Sequence, residues 1–239
     1  PEAGMADYRM YAGKPVVIKP KSTNFGLGIT ILKHNYDETD FKGALQIAFE
    51  HDNTLLIEKF IPGREFRIFI INDEVVGILH RVPANVTGDG VLNIGQLIDR
   101  KNEDPLRGKG YRTPLEKIRK GREEEMFLKQ QGMDFNTVPK EGEVVYLREN
   151  SNISTGGDSI DFTDDIDDSY KAIAVEAAKA LNVKITGLDM MIQDIHAPAT
   201  PDNYAIIEMN FNPAIHIHCY PFKGKNRHLN HKMIRALGF

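Results

Sequence analysis

Residues 54–82, TLLIEKFIPGREFRIFIINDEVVGILHRV, decide how the rest of the chain reads. Three runs rich in β-branched and aromatic residues, 54–61, 65–71 and 75–82, are separated by Pro62-Gly63 and by Asn72-Asp73. Runs of this length bounded by turn residues predict strands, and the short turns predict an antiparallel meander. Upstream, 15–20 and 29–33 predict two more strands, joined by the small-residue loop Lys21-Ser-Thr-Asn-Phe-Gly-Leu-Gly28. Between these and the meander, Thr39 or Asp40 predicts the cap of a helix to about His51, with Phe41, Leu45, Ala48 and Phe49 at helical spacing. Strand, strand, helix and then strands describe an α+β layer, a sheet with one face covered by a helix.

Downstream, 83–113 carries Gly88, Gly90, Gly95, Gly108 and Gly110. Ordinary connectors run to about 4–6 residues, so a stretch of this length predicts a functional loop. Thr113-Pro114 predicts the start of a charged helix to about Gln131. A short strand at 144–148 leads into the polar turn Glu149-Asn-Ser-Asn-Ile-Ser-Thr-Gly-Gly157. Residues 169–182 predict an amphipathic helix with Tyr170, Ile173, Ala174, Ala177 and Leu181 on one stripe, and 226–237 a last helix stopped by Gly238. Strands at 184–194 and 204–211 lie between these helices.

Composition narrows the function. Thirty Lys and Arg against 34 Asp and Glu give a formal charge of −4, and no basic stripe runs along the chain, which argues against nucleic acid as partner. The longest apolar runs fall short of the about 18–20 residues of a membrane span, and the single Cys219 suits a reducing, cytoplasmic setting. The chain opens on Pro1-Glu-Ala-Gly without an initiator methionine, which reads as a fragment lacking an upstream part.

The strongest chemical signal is Asp189 with Glu208 and Asn210. Residues two apart on a strand share a face, so Glu208 and Asn210 point together while Ile207 and Met209 point into the core. If the two strands form a hairpin, Asp189 falls beside Glu208, and hard oxygen donors converge as Mg²⁺ requires. Lys19, followed by the Gly26/Gly28 loop, is a phosphate candidate outside any Walker A or dinucleotide fingerprint. Arg67 and Arg81 lie on neighbouring predicted strands and suit a transferring phosphoryl group or an acyl phosphate. Glu58 and Glu65 flank the apolar turn Phe60-Ile-Pro-Gly63. His216-Ile-His218-Cys219 has no closed zinc-site spacing and reads as packing or pocket lining.

Taken in order, Val16-Val-Ile-Lys-Pro-Lys-Ser-Thr-Asn-Phe-Gly-Leu-Gly28, Ile57-Glu-Lys-Phe-Ile-Pro-Gly-Arg-Glu-Phe-Arg67, Gly187-Leu-Asp189 and Ile207-Glu-Met-Asn210 resemble the ATP-grasp superfamily. Arg81-Val-Pro-Ala-Asn-Val-Thr-Gly-Asp-Gly90 and Asn152-Ile-Ser-Thr-Gly-Gly157 are similar both to cyanophycin synthetases and to the glutathione synthetase half of bacterial bifunctional glutamate-cysteine ligase/glutathione synthetases. Met209-Asn-Phe-Asn-Pro-Ala214 and the Lys19–Gly28 segment favour the second.

That resemblance implies an ATP-grasp fold, two α+β subdomains clasping ATP, divided at 1–82 and 83–239. It implies an ADP-forming ligase that joins glycine to γ-glutamylcysteine through an acyl phosphate, with a cyanophycin-type ligase or a ligase-inactive ATP-binding module as alternatives. Lys19 would hold the phosphates under the loop bearing Lys21, Ser22, Asn24, Gly26 and Gly28. Glu58, Lys59, Phe60 and Ile61 would read adenine, and Glu65 ribose. Asp189, Glu208 and Asn210 would hold Mg²⁺, with Mn²⁺ as a substitute. Arg81, with Arg67 beside it, would steady the acyl phosphate, and Asn152, Ser154, Gly156 and Gly157 would meet the acid substrate. The implied partners are the small-molecule acid and amine and a glutamate-cysteine ligase domain in the same polypeptide; a homodimer is compatible with this arrangement, whereas nucleic acid and membrane are not expected.

Overall fold

β1 (Val16–Pro20) buries Val16, Ile18 and Pro20 and leaves Val17 and Lys19 half-buried, the alternation of a strand with one covered face. In the computed structural model, which describes residues 8–23, 27–33 and 35–239, β1 pairs antiparallel with β2 (Thr30–Leu32) on one side and β3 (Leu55–Lys59) on the other. The helix Glu38–Phe49 lays Phe41, Ala44, Leu45 and Ala48 against Val16 and Ile18. Its cap is Asp37, not Thr39 or Asp40. The Asp37 carboxylate accepts from the N–H groups of Thr39 and Asp40, and Asp40 Oδ2 accepts in return from Asp37 N–H at 3.1 Å, a reciprocal capping box. These elements form the first of two units, which meet in sequence at Pro62 and Gly63.

The second unit opens with β4 (Arg64–Ile71) and β5 (Glu74–Val82), an antiparallel hairpin around Asn72 and Asp73. The expected three-strand meander is therefore divided: β3 is hydrogen-bonded into the first sheet, and β4 and β5 into another. For the same reason the boundary between units falls at 62–63 and not after Val82.

Residues 83–113, expected as a loop, are packed together with those up to 148. β6 (Asn85–Thr87), a helix Ile94–Lys101, β7 (Arg107–Gly108), β8 (Leu115–Glu116), a helix Arg122–Gln130 and β9 (Val144–Tyr146) follow in order. β6 pairs with β9, and β7 runs parallel to β8. Ala84, Val86, Ile94, Leu97, Ile98, Ile118, Leu128, Val145 and Leu147 form their core. The helix expected from Thr113-Pro114 starts only at Arg122, because Leu115 is wholly buried in a strand and the Glu116 carboxylate accepts from the N–H groups of Gly110 and Tyr111.

β10 (Asp158–Asp161), β11 (Ile185–Ile192) and β12 (Tyr204–Asn210) join β4 and β5 in a five-stranded sheet of order β10-β5-β4-β11-β12. One face, carrying Phe66, Ile68, Ile70, Ile78, Leu188, Met190 and Ile192, packs on Tyr170, Ala174 and Ala178 of the helix Asp168–Ala180. The apolar stripe of that helix ends at Ala178, and Leu181 is exposed. On the opposite face Phe69, Ile71 and Val76 meet Cys219 and Leu229 from the helices His216–Cys219 and Leu229–Ala236. Among the described residues no helix is long and apolar enough to cross a membrane.

Candidate functional site

Alternation along the five-stranded sheet puts every second residue on the face shared with Phe69. On β4 these are Glu65 and Arg67, on β11 Gly187 and Asp189, and on β12 Glu208 and Asn210; Arg81 follows Leu79, the partner of Arg67, on β5. Asp189 stands opposite Arg67 on one side and Glu208 on the other, and Gly187 opposite Asn210. The hairpin pairing expected of Asp189 and Glu208 is thus present. Ile207 differs from expectation: a register shift after Asp189 pairs Met190 with Ile206, so Ile207 is an extra, exposed residue and does not enter the core.

Asp189 is 2% exposed. Arg67 grips it at both oxygens, Nε on Oδ1 and Nη2 on Oδ2 at 2.8 Å, and Arg81 Nη2 donates to Oδ2 at 2.8 Å. Burial pushes the Asp189 carboxyl up, but hydrogen bonding from Arg67 and the charges of Arg81 and Arg67 outweigh it and hold the group below the ordinary carboxylate range. Gly187 makes this approach possible, since a Cβ there would lie 2.9 Å from Arg67 Cδ and 2.8 Å from Pro213 Cβ. Arg81 also pairs with Glu65. Glu65 in turn accepts from Ser151 Oγ at 2.7 Å, and its carbonyl oxygen lies 2.9 Å from His80 Nδ1. Burial pushes His80 down to about 4, so the imidazole is neutral near pH 7 and donates from Nδ1.

Three carboxylates, Glu65, Asp189 and Glu208, therefore face two guanidinium groups. Glu208 is the uncompensated one: it is exposed and has no ion-pair partner among the described residues. Asn210 Nδ2 donates to Glu208 Oε1 at 3.1 Å, which turns the amide oxygen away from that carboxylate. Among the described residues no cluster of three His, Cys, Asp or Glu is arranged to hold a metal. Hard oxygens and one excess negative charge are the donor chemistry that suits a divalent cation, with Glu208 the one carboxylate of the three that no guanidinium among the described residues meets.

In the first unit, Lys19 Nζ and Glu58 Oε2 form an ion pair at 2.7 Å, so two residues expected in separate roles neutralise one another here. Lys21 and Ser22 are exposed, and Ser22 N–H donates to Asp52 Oδ2 at 2.8 Å. Gly28 has φ of 75°, in the region that favours glycine. Lys59 is exposed, Phe60 and Ile61 are half-buried, and Phe60 N–H is taken by Pro15 O at 3.0 Å. Asn24 and Gly26 lie outside the described residues.

The 152–157 segment is a 3-10 turn, Ile153–Thr155, closed by Gly156. The side chains of Asn152 and Ser154 make no hydrogen bond to the described residues, while Gly157 N–H returns to Asn152 O at 3.2 Å. What holds this turn is a buried group that periodicity did not reveal. Arg107 donates to the carbonyls of Gly156 and Glu116 at 3.0 and 2.9 Å and pairs with Asp158, which Lys101 also contacts at 2.7 Å. No local pattern links Arg107 to Asp158; Ser151 lies inside the polar turn 149–157, and nothing in its spacing marks it as a site residue. His218 packs edge-on against Phe69 with ring centroids 5.4 Å apart, and burial pushes it down to about 3.

Residues 3–93 match the family model described as D-ala D-ala ligase C-terminus. The glutathione biosynthesis bifunctional protein GshAB of Desulfotalea psychrophila is 62% identical over 239 residues, and that of Clostridium perfringens 57% over 231 residues, covering 100% and 97% of this chain. A crystal structure of a bifunctional glutathione synthetase from Pasteurella multocida matches 99% of the chain with a TM-score of 0.73 at 46% identity. The chain spans 31%, 30% and 32% of the length of these three proteins, respectively, about a third of each.

Proposed function

We propose, for a chain that belongs to the bacterial bifunctional glutathione biosynthesis proteins and forms their ATP-grasp part, that it activates the free carboxylate of γ-glutamylcysteine with ATP and joins it to glycine. The observation that carries this reading is the sheet face on which Arg67 and Arg81 converge on Asp189 beside Glu208 and Asn210. In the first half-reaction a substrate carboxylate oxygen attacks the γ-phosphorus and ADP leaves. In the second the glycine amine attacks the acyl carbon, inorganic phosphate leaves, and the amine loses a proton to solvent. Both steps develop negative charge on oxygen, which a guanidinium stabilises without giving up its own proton.

In this reading Arg81 faces the activated carboxylate, with Arg67 holding the shared Asp189 in place. Asp189, Glu208 and Asn210 would hold a divalent metal, Mg²⁺ or Mn²⁺, and that metal would neutralise phosphate charge. In the first unit Lys19 holds phosphate, with Lys21, Ser22, Asn24, Gly26 and Gly28 in the covering loop. Glu58 and 59–61 read adenine, and Glu65 binds ribose. Asn152, Ser154, Gly156 and Gly157 present the acid, with the Gly156 carbonyl held by Arg107. The upstream substrate is made by a glutamate-cysteine ligase part of the same polypeptide, in the cytoplasm, and a homodimer is compatible with this.

The test is ADP release by the polypeptide that carries this chain, with ATP and Mg²⁺. Release that needs both γ-glutamylcysteine and glycine is the expected result. Release with an aspartyl peptide and arginine instead, or nucleotide binding without release, overturns it.

A further inference from the structure

We infer that Ser151 is a positioning residue whose hydroxyl fixes Glu65 and, through Glu65, sets where the Arg81 guanidinium sits. The inference deepens the proposed function, since it rests on Arg81 as the cation facing the activated carboxylate. Ser151 Oγ donates to Glu65 Oε2 at 2.7 Å, and Glu65 Oε1 pairs with Arg81 Nη2. The same Nη2 donates to Asp189 Oδ2 at 2.8 Å, and Arg67 closes the far side of Asp189. Donor, anion, cation, anion and cation alternate along this series, so each group restrains the next.

Two features make the Ser151 end matter. The Arg81 side chain is 12% exposed, and its Nε is buried with no hydrogen-bond partner among the described residues. Its orientation therefore depends on the carboxylates that meet Nη2. Asp189 is held at both oxygens by Arg67 and cannot turn. Glu65 has three side-chain torsions and two restraints on its carboxylate, Arg81 and Ser151. Without the hydroxyl, the carboxylate is free to rotate about its last bond, and Arg81 moves with it.

Two measurements test this. A hydrogen bond to a charged group corresponds to roughly a tenfold change in an equilibrium. Ser151→Ala is expected to lower kcat/KM for ADP release about tenfold, with Ser151→Thr restoring it. In a Glu65→Gln background the Ser151→Ala penalty should vanish, because the residue acts through Glu65. The second measurement needs no turnover: in the polypeptide that carries this chain, without nucleotide, solvent exchange of the Arg81 Nε–H by NMR should speed up on Ser151→Ala and not on Ser151→Thr. An equal penalty in both backgrounds, or unchanged Arg81 exchange, overturns the inference. Failure of the wild-type polypeptide to release ADP with γ-glutamylcysteine and glycine would instead overturn the proposed function, and the exchange experiment would still judge Ser151.

Discussion

Replacing Asp189 by Asn isolates the electrostatic contribution of the sheet face. The side chains of Asp189, Arg67 and Arg81 are 3%, 8% and 12% exposed, so solvent screens little of what is lost. Removing one partner of a buried ion pair costs about 3–5 kcal/mol, because the remaining charge stays buried and uncompensated. Asn keeps the shape and one acceptor oxygen, which places Asp189→Asn near the lower limit, about 3 kcal/mol. For a unit of this size, 1 kcal/mol moves Tm by about 2–4 °C, so the expected drop is about 6–12 °C. Thermal and urea unfolding at pH 7 measure it. The pH dependence gives a second check. Because the folded-state pKa of Asp189 lies below its unfolded value, the wild-type advantage is complete above the ordinary carboxylate range and is lost as pH falls through the lower, folded value. A Tm difference below about 3 °C at pH 7, or one that does not shrink as the pH falls below the ordinary carboxylate range, would refute a buried, arginine-clamped carboxylate.

Glu208→Gln should abolish ADP release while moving Tm by less than about 2 °C, since Glu208 is exposed and has no ion pair among the described residues; chelation of the metal should have the same effect on the wild type. Gly187→Ala should cost about 1–3 kcal/mol by unfolding and lower ADP release, because the new methyl displaces Arg67 Cδ or Pro213. Burial pushes His218 down to about 3, so the unfolded chain binds more protons below pH 6.5 and stability falls as pH drops through that window. His218→Phe should remove about 1.4 kcal/mol per pH unit of that slope between pH 6 and 4, measured by urea unfolding.

Much of this architecture was legible because strand alternation is a local rule. It put Glu208 with Asn210 and, given a hairpin, Asp189 beside them. Other features depend on partners far along the chain. Nothing around Pro62 says that β3 pairs with β1 while β4 pairs with β11, so the local pattern predicts one sheet where there are two. Thr113-Pro114 carries a sound helix-start signal that the burial of Leu115 in a strand overrides. Asn93 and Gln96 spell a capping box that was readable, yet the surrounding glycines masked the helix Ile94–Lys101. Lys19 and Glu58 stand 39 positions apart, and only the β1–β3 register makes them an ion pair. Arg107 and Asp158 had no periodicity to announce them, since their pairing answers to buried charge and not to a pattern of apolar positions.

The unpaired Ile207 makes the aim of this site a matter of chain length. Removing that residue would leave Met190 opposite Ile206 and Asp189 opposite Glu208, so every rung of the ladder would still find its mate. What would disappear is the local bend and added twist that an extra residue imposes on its strand. Glu208 and Asn210, at the far end of the kink, would then swing while keeping their neighbours. A deletion scan through β12 would thus separate two things that point substitutions cannot: which side chains the site owns, and the angle at which the strand delivers them.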